Sequence, residues 1–261
     1  MIRKDLDVPR SEIVRDFYLN TEVGRSLSKG ISRVVTAKWN NRNMRVVCAG
    51  VHVPLAIHLV RSLPWITYLV SDNQMSDLSY GKSQRVVVMS SNWPISNNTF
   101  DAVLIVHSLE MHDDPCSLIR EAHRVLNVGG ELIIIAANRY SLWAYSRISP
   151  FCGLKCYGVH GLSSYVCKFG FEIEKKLFAL YPPPFMKFMV EKAGKQDILN
   201  SSGGSIFNNL AGLFIMQLRK KNISHLGDGL CILKSGKVGI SASIGRDSVL
   251  GSENIFQGKH E

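Results

Sequence analysis

Between Thr99 and Asn138 the chain punctuates itself more clearly than anywhere else. Phe100-Asp101 leads into Ala102-Val103-Leu104-Ile105-Val106, an unbroken apolar run. A run of this kind fits a parallel strand covered on both faces. His107-Ser108-Leu109-Glu110-Met111-His112 follows, with the mixed polarity of a strand opening into a loop. Asp113-Asp114-Pro115 is a helix start, with acids near the amino end and Pro at the first helical position. Leu118, Ile119, Ala122, Val125 and Leu126 repeat along one helical face. Gly129-Gly130 is expected to end that helix in the left-handed cap conformation. Glu131 to Ala137 is the next buried strand. The pattern is a βαβ unit, and such units hold ligands at the carboxyl ends of their strands.

The flanking sequence extends the same alternation. Residues 9–39 read as two basic amphipathic helices separated at Asn20-Thr21, with Ile13, Val14, Phe17 and Tyr18 on one face of the first. Strands are predicted at Arg45–Ala49, Trp65–Val70 and Arg85–Met89 ahead of the unit. Two more are predicted after it, at Phe171–Leu180 and Leu210–Leu218. Helices are predicted at 54–62 and 183–195. This predicts an α/β fold, a doubly wound, mostly parallel sheet of seven strands, its last strand closing beside the fifth. Three regions result: an N-terminal helical cap over 1–42, the α/β domain over 43–221, and a Gly- and Ser-rich tail over 222–261 expected to be disordered.

Composition narrows the partners. Net charge is +10, which favours anionic partners: nucleic acid, a membrane surface or an acidic protein. No aromatic-basic module supports nucleic acid. No apolar run approaches the roughly 20 residues of a membrane span, and no signal peptide opens the chain, so a cytoplasmic location is expected. The six cysteines form no Cys-x-x-Cys pair and are expected to be reduced. Cys152, Cys156 and His160 lack a fourth ligand, so no metal site is read.

The ordered text from Phe100 to Glu110 and from Leu118 to Leu132 resembles the class I S-adenosylmethionine (SAM)-dependent methyltransferases, in the branch whose domain is labelled methyltransferase type 11. A weaker resemblance spans about 12–220. It implies the Rossmann-like methyltransferase fold, SAM as cofactor and a small-molecule or macromolecular methyl acceptor. It also implies that the leading helices lie as a lid over the SAM pocket, from which Tyr18 would reach inward. The glycine-rich run that such proteins carry after the first strand is degenerate here. Gly50 matches its first glycine, but Cys48 replaces the preceding acid, and His52 and Pro54 stand at the later glycines. Gly50, Val51 and His52 are the candidates for the methionine end of the cofactor. Asp72 is the candidate for the ribose, Ser91 and Asn92 for the adenine edge. His107 faces both cofactor and acceptor. With Glu110 it forms the candidate catalytic pair, His107 as general base or acceptor-orienting group. The alternative is a methyltransferase-like fold that has lost catalysis and serves as a binding or scaffolding protein, motivated by Cys48, His52 and Pro54.

Overall fold

In the computed structural model, the described residues are 8–39, 43–51, 53–59, 63, 65–70, 84–87, 92–181, 183–184 and 210–221. The helices predicted before the sheet form as α1 (Arg10–Asn20) and α2 (Glu22–Lys38). Thr21 separates them, and its hydroxyl accepts the Gly24 N–H as an N-cap. Then come β1 (Val46–Gly50), α3 (Val53–Leu59), β2 (Ile66–Val70) and β3 (Gln84–Val87). The central unit is β4 (Phe100–Val106), a short α4 (Ser108–Met111), α5 (Pro115–Val125) and β5 (Leu126–Ala137). A further short helix, α6 (Leu142–Tyr145), precedes α7 (Val159–Lys168), β6 (Phe171–Ala179) and β7 (Leu213–Lys220).

All seven strands join one sheet in the order β3-β2-β1-β4-β5-β7-β6. The first five are parallel, and β7 lies antiparallel between β5 and β6. Strand alternation divides the apolar residues between two cores. Cys48, Leu104, Val106, Ile133 and Ile135 face α1, α2 and α3. Val47, Val103, Ile105, Leu132 and Ile134 face α5 and α7. Covering both faces lets β4 and β5 read as continuous apolar runs rather than alternating ones.

Some boundaries differ from the sequence reading. The Gly129-Gly130 pair does not end α5. The helix closes at Val125 because Leu126 already takes extended angles (φ −71°, ψ 137°) and opens β5. Gly129 instead takes φ +75° within that strand, where the register against β4 jumps from Phe100↔Leu126 to Ala102↔Glu131. Glycine here serves a strand irregularity. The predicted seventh strand starts three residues late, at Leu213. The expected reduced state of every thiol is also corrected. Cys116 is disulfide-bonded, while Cys48, Cys152, Cys156 and Cys167 are free. The predicted helix at 183–195 and the 222–261 tail fall almost entirely outside the described residues.

Candidate functional site

β4 runs straight into the candidate site. Its ladder continues one residue past the strand, where the His107 N–H donates to Ile135 O at 2.9 Å. His107 then turns left-handed, at φ 53° and ψ 14°, and α4 begins. For a residue with a Cβ that conformation costs about 1–2 kcal/mol. The ring is held on every side. Nε2 lies 2.9 Å from the Tyr18 hydroxyl of α1, and Nδ1 lies 2.9 Å from Glu110 Oε1. Phe151 stacks on its face at 5.2 Å between ring centres. His107 and Glu110 share one face because they sit three residues apart around the α4 turn.

Glu110 is anchored by backbone as well. Its Oε1 also accepts the Ala137 N–H at 2.6 Å, from the end of β5. An acid that accepts at Oε1 places the His107 proton on Nδ1 and leaves Nε2 as the acceptor of the Tyr18 O–H. Burial, with the Glu110 charge adding to it, pushes the Tyr18 phenol far above its ordinary range, so it keeps that proton. Tyr18, His107 and Glu110 thus form a hydrogen-bonded chain, all essentially buried. One atom in it is unused: Glu110 Oε2 has no hydrogen-bond partner among the described residues. A buried carboxylate oxygen left bare costs free energy, and a ligand bearing N–H, O–H or positive charge would satisfy it. Chemically, a carboxylate holding Nδ1–H primes the far nitrogen of the imidazole to take a proton.

The first turn after β1 is built differently. Gly50 takes φ +93°, and a Cβ there would meet Val106 O at 2.1 Å and Ser108 Cβ at 2.9 Å. The turn is pressed onto the end of β4, which only glycine permits. The Val51 N–H already donates to Val106 O at 2.8 Å, and the Val51 side chain is buried in the core. Cys48, at the expected acid position, is buried on β1, and burial pushes its thiol up, so it carries no charge.

Asn92 is exposed on the rim of an open cavity of about 540 Å³, lined also by Trp93, Ile95, Glu121 and Arg124. This cavity lies toward the amino end of β4. Asn98 N–H donates to Arg124 O there, and Thr99 N–H to Val125 O. Its polar walls are already engaged: Arg124 donates to Trp93 O, Ile95 O and Glu121, and Glu121 accepts the Trp93 N–H. His52, Asp72 and Ser91 lie outside the described residues. The structure therefore brings together His107, Glu110 and Tyr18, sets Gly50 and Val51 against the end of β4, and places Asn92 apart. Phe151 and the Ala137 N–H were missed by sequence reasoning. Phe151 sits in the least periodic stretch of the domain, and a backbone donor has no sequence signal at all. Among the described residues no group of three His, Cys, Asp or Glu side chains is placed to hold a metal.

For the cofactor that the resemblance implies, this geometry fits in part. The Val51 N–H is not free for a carboxylate, whereas Glu110 Oε2 is a vacant acceptor suited to a cationic ligand.

Residues 67–134, from β2 through most of β5, match the family model described as a methyltransferase domain. No curated protein matches the sequence. Among solved structures, the chain is similar to a SAM-dependent methyltransferase of Thermotoga maritima (TM-score 0.58, 20% identity, covering 81% of this chain and 100% of that one). It is similar also to a protein of Pyrococcus horikoshii (TM-score 0.56, 14% identity, 79% and 96% covered). A third is the 4+2 cyclase SpnF (TM-score 0.52, 19% identity, 73% and 80% covered). The chain therefore shares the Rossmann-like fold of these solved structures, and its residues 67–134 match the model of a methyltransferase domain.

Proposed function

We propose that the protein is a SAM-dependent methyltransferase acting on an acceptor yet to be identified. The observation that carries this reading is the buried Tyr18–His107–Glu110 chain at the carboxyl end of β4, with one carboxylate oxygen unclaimed. Strand carboxyl ends are where doubly wound sheets hold their ligands. In this reading Gly50, Val51, His52, Asp72, Ser91 and His107 border the cofactor, which supplies an electrophilic methyl group when bound, while Asn92 stands apart from it. Glu110 fixes the His107 ring with Nδ1–H toward itself. His107 Nε2 then takes the proton that the acceptor loses, and the adjacent carboxylate stabilises the resulting imidazolium. Tyr18 holds Nε2 until an acceptor replaces it. Trp143 and Phe151, packed around Phe17 and His107, keep water from the reacting atoms.

A second reading, a catalytically inactive binding or scaffolding protein, is favoured by one observation: the Val51 N–H and the space beside Gly50 are taken up by β4. Isothermal titration with S-adenosylhomocysteine separates the two. One-to-one binding in the micromolar range is expected of the methyltransferase. Absence of heat and of thermal shift at millimolar ligand would leave the scaffold reading.

A further inference from the structure

From Leu132 to Phe171 the chain runs forty residues without an Asp or Glu, while Arg139, Arg147, Lys155 and Lys168 fall inside that span. Within it, residues 140–148 turn apolar side chains outward: Tyr140 is 61% exposed, Leu142 47%, Tyr145 45% and Ile148 65%. These are four of the eight large apolar side chains that stand exposed among the described residues. The segment is amphipathic at short range. In α6, Leu142 and Tyr145 share one face at a spacing of three, while Trp143 and Ala144 are buried beneath them. The charges around this face are mostly positive. Arg147 is exposed two residues after α6, and the half-buried Arg139 lies three residues before it. The exposed Arg10 reaches Cys152 O, four residues past Ile148. Lys155 is offset by Asp113 at 3.4 Å.

We propose that this face docks on an anionic phospholipid surface. Tyrosine suits the headgroup boundary, where its ring is apolar and its hydroxyl wet. Leucine and isoleucine enter the acyl region, and arginines meet the anionic headgroups. A segment empty of carboxylates has nothing for such a surface to repel, and the net charge of +10 acts in the same direction. No described helix is long and apolar enough to cross a membrane, so the contact is peripheral. The acid-free composition favours lipid over a protein partner, whose interface rim would offer both signs of charge.

Vesicle co-sedimentation of the full chain tests this, and its outcome does not depend on methyl transfer. Vesicles of phosphatidylcholine containing phosphatidylserine should bind the protein, and phosphatidylcholine alone should not. The double substitution Leu142→Ser/Ile148→Ser should lower the partition coefficient by about tenfold or more. Arg147→Gln should lower it about fivefold, and added salt should weaken that share. All three positions are exposed, so melting temperature should not change. Failure of the natural chain to sediment with phosphatidylserine vesicles overturns the proposal. So does binding that Leu142→Ser/Ile148→Ser leaves intact. Capture by immobilised polyglutamate, lost in the same double variant, would assign the face to an acidic protein and overturn it as well.

Discussion

At the carboxyl end of β4 a buried carboxylate has an oxygen to spare, and at the opposite end of the strands a buried ammonium has no proton to spare. Lys220, on β7, is 8% exposed. Its Nζ donates to Asn98 Oδ1 at 3.0 Å, His123 O at 2.7 Å and Leu126 O at 2.7 Å. Two of these carbonyls close the end of α5, where a helix has unpaired oxygens and a negative dipole end. Every donor of the ammonium is used, and the group reads as a fastening. Glu110 is as deeply buried but half used, and it sits among groups able to move a proton. Saturation marks a buried charge that serves the fold. An unclaimed atom at a strand's carboxyl end marks one that awaits a ligand.

Substitutions at the two ends should separate these roles. The largest expected loss of stability is at the saturated end. Lys220→Met leaves three acceptors without a donor and should cost about 4 kcal/mol in urea denaturation. S-adenosylhomocysteine affinity should be unchanged, and a large change there would break the distinction between the ends. Next is Glu110→Ala, expected to cost about 3 kcal/mol because the Ala137 and His107 N–H groups lose their acceptor. Once an acceptor is known, the same variant should reduce turnover by about 100-fold. A variant that loses stability without losing turnover would place Glu110 with Lys220.

His123 gives a smaller effect, visible in pH. Burial, aided by the charge of Lys220, lowers its pKa from 6.5 to about 4. Between those values the unfolded chain binds the proton more readily than the fold does. The stabilisation is therefore full above pH 6.5 and is lost as pH falls toward 4. With the ring partly exposed, screening limits it to about 1–2 kcal/mol. His123→Gln should flatten the stability profile over that window, and an unchanged slope would refute the assignment. The smallest expected effect is Tyr18→Phe, about 1 kcal/mol for one lost hydrogen bond. A loss as large as that of Glu110→Ala would mean that Tyr18, His107 and Glu110 act as one unit.

Much of this was legible in the sequence, for reasons that can be named. The apolar runs of β4 and β5, the Asp114 cap and the Pro115 start are local signals, and the structure keeps them. His107 and Glu110 were legible because their place follows from the strand end and a spacing of three. What joins them to Tyr18 was not in any local pattern. The contact spans 89 positions and depends on how α1 sits over the sheet. The role of Gly129 was misread because a helix cap and a strand irregularity ask the same backbone freedom of glycine, and only the partner strand distinguishes them. The register of β7 slipped for a similar reason: its bounds are set by pairing with β5 and β6, not by its own composition.

The placement of β7 also bears on how the chain reaches this state during synthesis. Among the described strands β6 pairs only with β7, and β7 alone covers the outer edge of β5. Yet β7 is the last described strand to leave the ribosome. Until Leu213–Lys220 emerges, the apolar β5 presents a bare hydrogen-bonding edge, β6 has no neighbour, and the end of α5 lacks its ammonium. Exposed strand edges are sites of misassembly. A nascent chain halted anywhere before residue 213 should therefore be aggregation-prone although most of its core is already made, and the sheet closes in one late step.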